Sequence, residues 1–386
     1  MTTIIVFIAV LAVLVLSHEF GHFIAAKRSG MKVFEFGFGF PPRLFGWYRD
    51  PATKKVTFVG SKFERESAPS TVYSVNVLPL GGFVQIKGEN DAGLKDNDSF
   101  GARPWWRRVV VMGAGVAMNI LLGAVLLGIG YSVGMPQAID NIADVSNIPD
   151  RRLEIADVVA GKPAALAGFV AGDVIVSVDT ITNPRVKEFQ QYLNTHRDTD
   201  VKITVRRGVE NISAIVKPVE LATVGRAGIG VSISEMGTIH YPWYQAIFYG
   251  FKDAFLYLGQ IIVAFITLIK GLFSGLGAGD AVSGPVGIAV MTGKAAHMGF
   301  LYLLQFTAIL SLNLAVFNFL PFPALDGGRL VFLVIEKIKG KPVGQKTEQL
   351  VHSLGYMFLL LLVLIVTVRD VGVLGSNIAG FFSNLF

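Results

Sequence analysis

The sequence contains no cysteine. Disulfides, thiolate ligands and cysteine nucleophiles are therefore excluded, and any metal must be held by His, Asp or Glu. Charge is scarce as well. Only 16% of the 386 residues are Asp, Glu, Lys or Arg, where soluble domains carry about 25%. Hydrophobic residues make up 52%, the balance of an integral membrane protein. The net charge of +6 does not point to nucleic acid. No basic helix or stripe interleaves with aromatics, and membrane proteins use Lys and Arg to orient themselves. A serine-type intramembrane protease is disfavoured too, since no G-x-S-x-G and no Ser–His pair lies within an apolar run.

What is present is a set of long apolar runs. A helix needs about 20 such residues to cross a bilayer. Four stretches qualify: 4–26, 109–133, 299–322 and 350–368. A fifth, 254–272, is ambiguous. The start, MTTIIVF, lacks the basic n-region and cleavage site of a secretory signal, so it reads as a retained first span. Lys and Arg crowd residues 27–108 and are absent before the first span. The N-terminus is therefore expected outside and 27–108 in the cytoplasm. Lys337, Lys339, Lys341 and Lys346 mark a second cytoplasmic loop.

Between the second and third spans the composition turns polar. DVIVSVD (173–179) and VKITVRR (201–207) alternate like strands. VKEFQQYLNTH (186–196) reads as a short helix, and 210–219 and 227–235 as two further strands. The run AGKPAALAGFVAGDVIVSVD (160–179) resembles the PDZ signature, where Pro-Ala opens a helix and Gly-Asp precedes a strand. That resemblance implies a β-rich domain over 151–235 that binds an extended peptide or a substrate ectodomain at a sheet edge. A domain that only blocks access sterically is the alternative.

The first apolar run ends in His18-Glu19-Phe20-Gly21-His22, an H-E-x-x-H. Positions i and i+4 share a helix face, so both imidazoles reach one metal ion. Glu19 points one residue round, toward a metal-bound water, as a general base. An ionisable group at membrane depth costs several kcal/mol unless it is paired or functional. A catalytic zinc needs a third ligand and an open position. His196 and His240 lie in or near the soluble insert, and His297 and His352 stand singly near span ends. The best candidate is Asp326, in NFLPFPALDGGRL (318–330), where Pro321 and Pro323 break the helix and Gly327–Gly328 allow a tight turn.

HEFGH in a first span, N-F-L-P-x-P-x-L-D-G-G some three hundred residues on, and one PDZ-like insert together resemble the bacterial site-2 proteases of the RseP type, intramembrane zinc metalloproteases. GFGFPPRLFG (37–46), YSVNVLPLGGFVQIKGE (73–89) and SGPVGI (283–288) add to the likeness. The resemblance implies one zinc per chain on His18, His22 and Asp326, with Glu19 as catalytic base. It also implies that Asn318, Pro321 and Pro323 hold the substrate strand. The substrates implied are single-span proteins such as anti-sigma factors or remnant signal peptides, cut within the bilayer of a bacterial cytoplasmic membrane. The best-studied members carry two tandem PDZ domains; here there is one.

The expected fold is a polytopic α-helical membrane protein with four transmembrane helices, a membrane-associated β-hairpin or sheet and an inserted PDZ-like domain. Its parts are the first span with HExxH (1–30), a cytoplasmic or re-entrant β region (31–104), the second span (105–135), the extracytoplasmic PDZ-like domain (151–235), interfacial helices (240–298), the third span with the LDG motif (299–335) and the fourth (350–370). Parity places the site near the cytoplasmic side only if 254–272 does not cross fully. The β region would pair its open edge with unwound substrate. A zinc transporter and a non-catalytic PDZ scaffold are the rival readings. Spans two and four are too bare of polar residues for a transport path, and a scaffold leaves Glu19 without a role.

Overall fold

Apolar runs with basic ends become long helices. Thr2–Arg28 forms α1 and Trp105–Val133 forms α2, with the sheet region between them. The structure is a computed structural model that describes residues 2–89, 96–139, 150–159, 161–221, 225–274 and 283–383. The chain divides into two units. One comprises Met1–Gly128, Ile247–Gly293 and Leu304–Phe386; the other comprises Ile129–Ala246 and Lys294–Leu303.

The first unit holds a sheet of β1 (Val33–Arg49), β2 (Val56–Val59) and β3 (Val72–Ile86), ordered β2-β1-β3. β1 and β3 each fold back on themselves. Phe36 lies opposite both Val84 and Tyr73, and Trp47 opposite both Tyr73 and Phe58. The segment 82–86 is therefore an edge, paired with 33–38 on one side only among the described ladders. Gly81 and Gly82 bring this edge against Val15 and Leu16 of α1. The sheet expected between the first two spans is thus present.

Glu35 stabilises this sheet from inside. It is 2% exposed, with the Arg43 guanidinium at 2.7 Å and Arg65 at 3.3 Å. Burial pushes the Glu35 carboxyl upward, but Arg43, Ser74 and Arg65 together more than reverse that and hold its pKa below the ordinary value.

Beyond the insert, α5 (Trp243–Phe273) is one continuous helix. It rests Gly250 on Ala124 and Gly128 of α2. Tyr257 hydrogen-bonds Gln305, and the Phe265 ring meets Phe317 at 5.7 Å. Gln305 and Phe317 belong to α7 (Phe300–Phe319), which follows α6 (Pro285–Met298). The SGPVGI segment acquires a structural role: the amides of Gly284 and Gly287 donate to Asp370 Oδ2 at 2.9 and 2.8 Å. Asp370 lies on α9 (Gln345–Ser383), and α8 (Asp326–Lys339) precedes it. Arg108 on α2 pairs with Glu336 on α8. Among the described residues, five helices are long and apolar enough to cross a membrane: the four expected, plus Trp243–Gly271.

The second unit is built on β4 (Met135–Ala138), β5 (Arg152–Val158), β6 (Val174–Val178), β7 (Ile181–Thr182), β8 (Val201–Arg207), β9 (Glu210–Val216) and β12 (Val231–Ile239), ordered β4-β12-β5-β6-β8-β9 with β7 on β6. β10 (Val219–Leu221) and β11 (Arg226–Gly228) pair separately. Pro163 opens α3 (Pro163–Leu166), and Gly172-Asp173 precedes β6, as the motif requires. The helix α4 (Val186–Thr195) buries Phe189 and Leu193 against Leu153, Ile155, Ile175 and Ile203. Each such side chain contributes about 1.5–3 kcal/mol by leaving water.

Replacing Arg43 with Ala leaves Glu35 buried without its main partner. A loss of about 3–5 kcal/mol is expected, read as a lowered unfolding midpoint in detergent. Because the Glu35 pKa is depressed by folding, the wild-type contribution is full at neutral pH and fades as pH falls through the folded value.

Candidate metal centre

Helical spacing puts His18 and His22 on one face of α1, where they are 7% and 5% exposed. What lies across from them depends on glycine. A Cβ on Gly21 would strike the Ala114 carbonyl, so α1 and α2 meet there backbone to backbone. On the other side of that seam Gly115 faces both rings, and a Cβ there would collide with His18 and His22. The close approach brings the Val111 carbonyl within 2.7 Å of His22 Nδ1 and Asn119 Nδ2 within 3.2 Å of His18 Nδ1. Ser311 on α7 donates to the Asn119 carbonyl at 2.8 Å, tying a third helix to the same place.

The third group arrives through a doubled-back loop. Leaving α7, the chain turns so that the carbonyls of Phe319 and Leu320 press on Gly327, and that of Phe322 presses on Gly328. A side chain at either position has no room. Ala324 sits at φ 77, a conformation that costs a non-glycine residue energy. It is held there by its amide, which donates to His352 Nδ1 at 2.9 Å. Gly355, one turn along α9 from His352, packs on Pro323. Asp326 then starts α8 with Oδ2 at 3.0 Å from His18 Nε2 and 3.1 Å from His22 Nε2. The two Nε2 atoms are 3.2 Å apart.

These three groups are the one His/Asp/Glu constellation of metal-holding geometry among the described residues. Zinc bonds of about 2.0–2.1 Å in a tetrahedron would separate ligand atoms by about 3.3 Å, close to the spacing found. The second contacts fit as well. A His22 Nδ1–H donating to Val111 O leaves the Nε2 lone pair for a metal. Asn119 Oδ1 is buried with no hydrogen-bond partner among the described residues. With the amide turned to present Oδ1, it would accept from His18 Nδ1–H and free His18 Nε2 in the same way.

Of the other expected residues, Glu19 adjoins the cluster and accepts the Val84 amide of the sheet edge at 3.1 Å. Asn318 Nδ2 reaches 3.5 Å from His18 Nε2, at the rim of the cluster. Pro321 and Pro323 shape the loop that delivers Asp326. His196 stacks on Tyr192, and neither it nor His240 nor His297 enters the cluster. The structure adds participants that no sequence motif marks: Asn119 and Gly115 beside the imidazoles, and His352, which stands singly near a span end, on the loop that delivers Asp326.

An HExxH on an apolar helix, completed by a carboxylate three hundred residues away, defines a metallopeptidase centre of membrane type. The chain belongs to peptidase family M50, whose family model matches residues 6–362. It is a zinc metalloprotease by family and a multi-pass membrane protein. A Clostridium perfringens protein assigned as a zinc metalloprotease is 33% identical over 93% of this chain and 95% of its own. RasP of Bacillus subtilis, named regulator of sigma-W protease, is 27% identical over 96% of this chain and 98% of its own. A PDZ domain of an SdrC-like protein from Listeria monocytogenes is 28% identical, covering 21% of this chain and 86% of that domain with a TM-score of 0.20.

Replacing Asn119 with Ala is expected to weaken zinc retention about 10–100-fold, measured by competition with a chelator. Replacing Gly115 with Val is expected to lower it further, because the added atoms occupy the space of the imidazoles.

Proposed function

We propose that this chain cleaves transmembrane segments of single-span membrane proteins, with His18, His22 and Asp326 holding one zinc ion and Glu19 acting as general base. The observation that carries the reading is the neighbourhood of Glu19. Its carboxylate lies beside the converging imidazoles and also takes a hydrogen bond from the free sheet edge at Val84. A peptide laid antiparallel or parallel on 82–86 would pass directly over the reacting groups.

A transmembrane helix resists hydrolysis because its carbonyls are hydrogen-bonded and its backbone is enclosed. A sheet edge with one open side offers the unwound segment replacement backbone hydrogen bonds. Asn318, at the rim, supplies a further donor to the extended backbone. Zinc bound at this site would polarise the scissile carbonyl and acidify the attacking water. Glu19 takes the proton from that water and returns it to the leaving amine. The Val84 amide holds the Glu19 carboxylate toward the sheet edge until substrate arrives. Asn119 and Val111 orient the imidazoles throughout.

On the charge bias of residues 27–108, the N-terminus and the β-rich domain face outward and the reacting groups lie near the cytoplasmic side. The name of the Bacillus relative, regulator of sigma-W protease, supports single-span regulators of a sigma factor as a substrate class for this chain.

The test is Glu19→Gln in the full chain, reconstituted with a single-span model substrate. Zinc content should stay near one per chain, while cleavage falls at least ~100-fold. Undiminished cleavage would remove Glu19 from the mechanism. A zinc-loaded chain that cuts no membrane segment, wild type included, would remove the proteolytic reading of the site.

A further inference from the structure

A second cavity lies on α1 and α2, lined from one side of the Gly21–Ala114 seam and separate from the imidazole cluster. It is an open groove of about 440 Å³. Its walls are apolar and low, formed by Ile24, Ala25, Ala114, Ala117, Met118 and Leu121. One end is different. Arg28, the last residue of α1, and Trp106 and Arg107, in the first turn of α2, close it. No carboxylate is among the residues that line it.

The arginines are arranged to bind an anion. Arg107 donates one N–H to the Ser29 carbonyl at 3.2 Å and lies over the Trp106 ring at 5.1 Å, which steadies the half-buried guanidinium at the groove's end with further N–H donors in hand. The Trp106 side chain is 56% exposed, where an indole at a helix end marks the headgroup level. Leu121 lies fourteen positions beyond Arg107 on α2, about 21 Å of helix. That exceeds half of a hydrocarbon core of about 30 Å, so the groove runs the depth of one leaflet.

A cationic mouth on an apolar trough complements one class of molecule. Free phosphate would use the arginines and leave the trough without a purpose, and an apolar helix would leave the arginines facing lipid. We propose that this groove binds one anionic phospholipid, its headgroup phosphate on Arg28 and Arg107 and an acyl chain along Ala117–Leu121. Basic recesses between transmembrane helices bind such headgroups by the same forces.

The experiment is native mass spectrometry of the full chain in detergent, titrated with phosphatidylglycerol or with phosphatidylcholine of identical acyl chains. The wild type should prefer phosphatidylglycerol at least tenfold. Each arginine is expected to contribute about fivefold, so Arg28→Gln with Arg107→Gln should erase the preference. Ala117→Phe fills the trough without touching charge and should weaken both lipids. Inorganic phosphate at matched concentration should leave the lipid bound. Equal retention of the two lipids by the wild type, a preference surviving in the double variant, or displacement by inorganic phosphate would each overturn the proposal. So would a dimer of the chain that Ala117→Phe abolishes, since that places a second copy in the groove.

Discussion

The backbone contact of α1 with α2 is the constraint on which the site depends. In an apolar medium no hydrophobic force drives two helices together, and close packing through small residues has to do it. Gly21 against Ala114 allows that approach, and Gly115 leaves the space into which both imidazoles turn. Only at this separation does the Val111 carbonyl reach His22 and the Asn119 amide reach His18. A methyl group at either glycine would part the helices or displace the rings. The cost of placing two histidines and a glutamate on an apolar helix is thereby offset by hydrogen bonds from α2, by the Asp326 carboxylate arriving from α8 and by the ion the cluster fits.

Asp326 is over-determined from the other direction. The loop from Phe319 to Leu325 folds over two glycines, Ala324 is kept in the left-handed region by His352, and Pro323 is pinned by Gly355. Strain of this kind persists only where surrounding contacts enforce it, and it collects at reacting sites. Ser311 and the Arg108–Glu336 pair then join α2 to α7 and α8. Three remote segments are thus held to a common point by contacts that do not themselves include His18, His22 or Asp326. The sheet, stiffened internally by Glu35 with Arg43, presents its edge to the same point.

Much of this was legible in the sequence, and unevenly. H-E-x-x-H declares its geometry because a helix fixes the offset of i and i+4. L-D-G-G declares a tight turn because proline and glycine restrict the backbone in known ways. Period-two alternation located β8 to the residue and β6 within one, and α4 ended one residue short of the reading. β5 escaped because its alternation is short: Leu153 and Ile155 enter the core and Ala156–Asp157 end the pattern, while Glu154 lies on the opposite face, 4% exposed, where Tyr302 donates to it at 2.6 Å. Asn119, His352 and Val84 escaped for a common reason. Each acts on a partner 28 to 101 residues away in sequence, and no local pattern states which helix will face which. The segment 254–272 shows the same limit: its composition suits several placements, and its observed neighbours Gln305 and Phe317 belong to a different element.

X-ray absorption at the zinc edge, on the purified full chain loaded with zinc, tests the convergence most directly. A single zinc per chain is predicted, coordinated only by nitrogen and oxygen at about 2.0–2.1 Å, with the outer-shell scattering of two imidazoles that drops to one in His22→Ala. A spectrum lacking paired imidazoles, or one unchanged by that substitution, would contradict it.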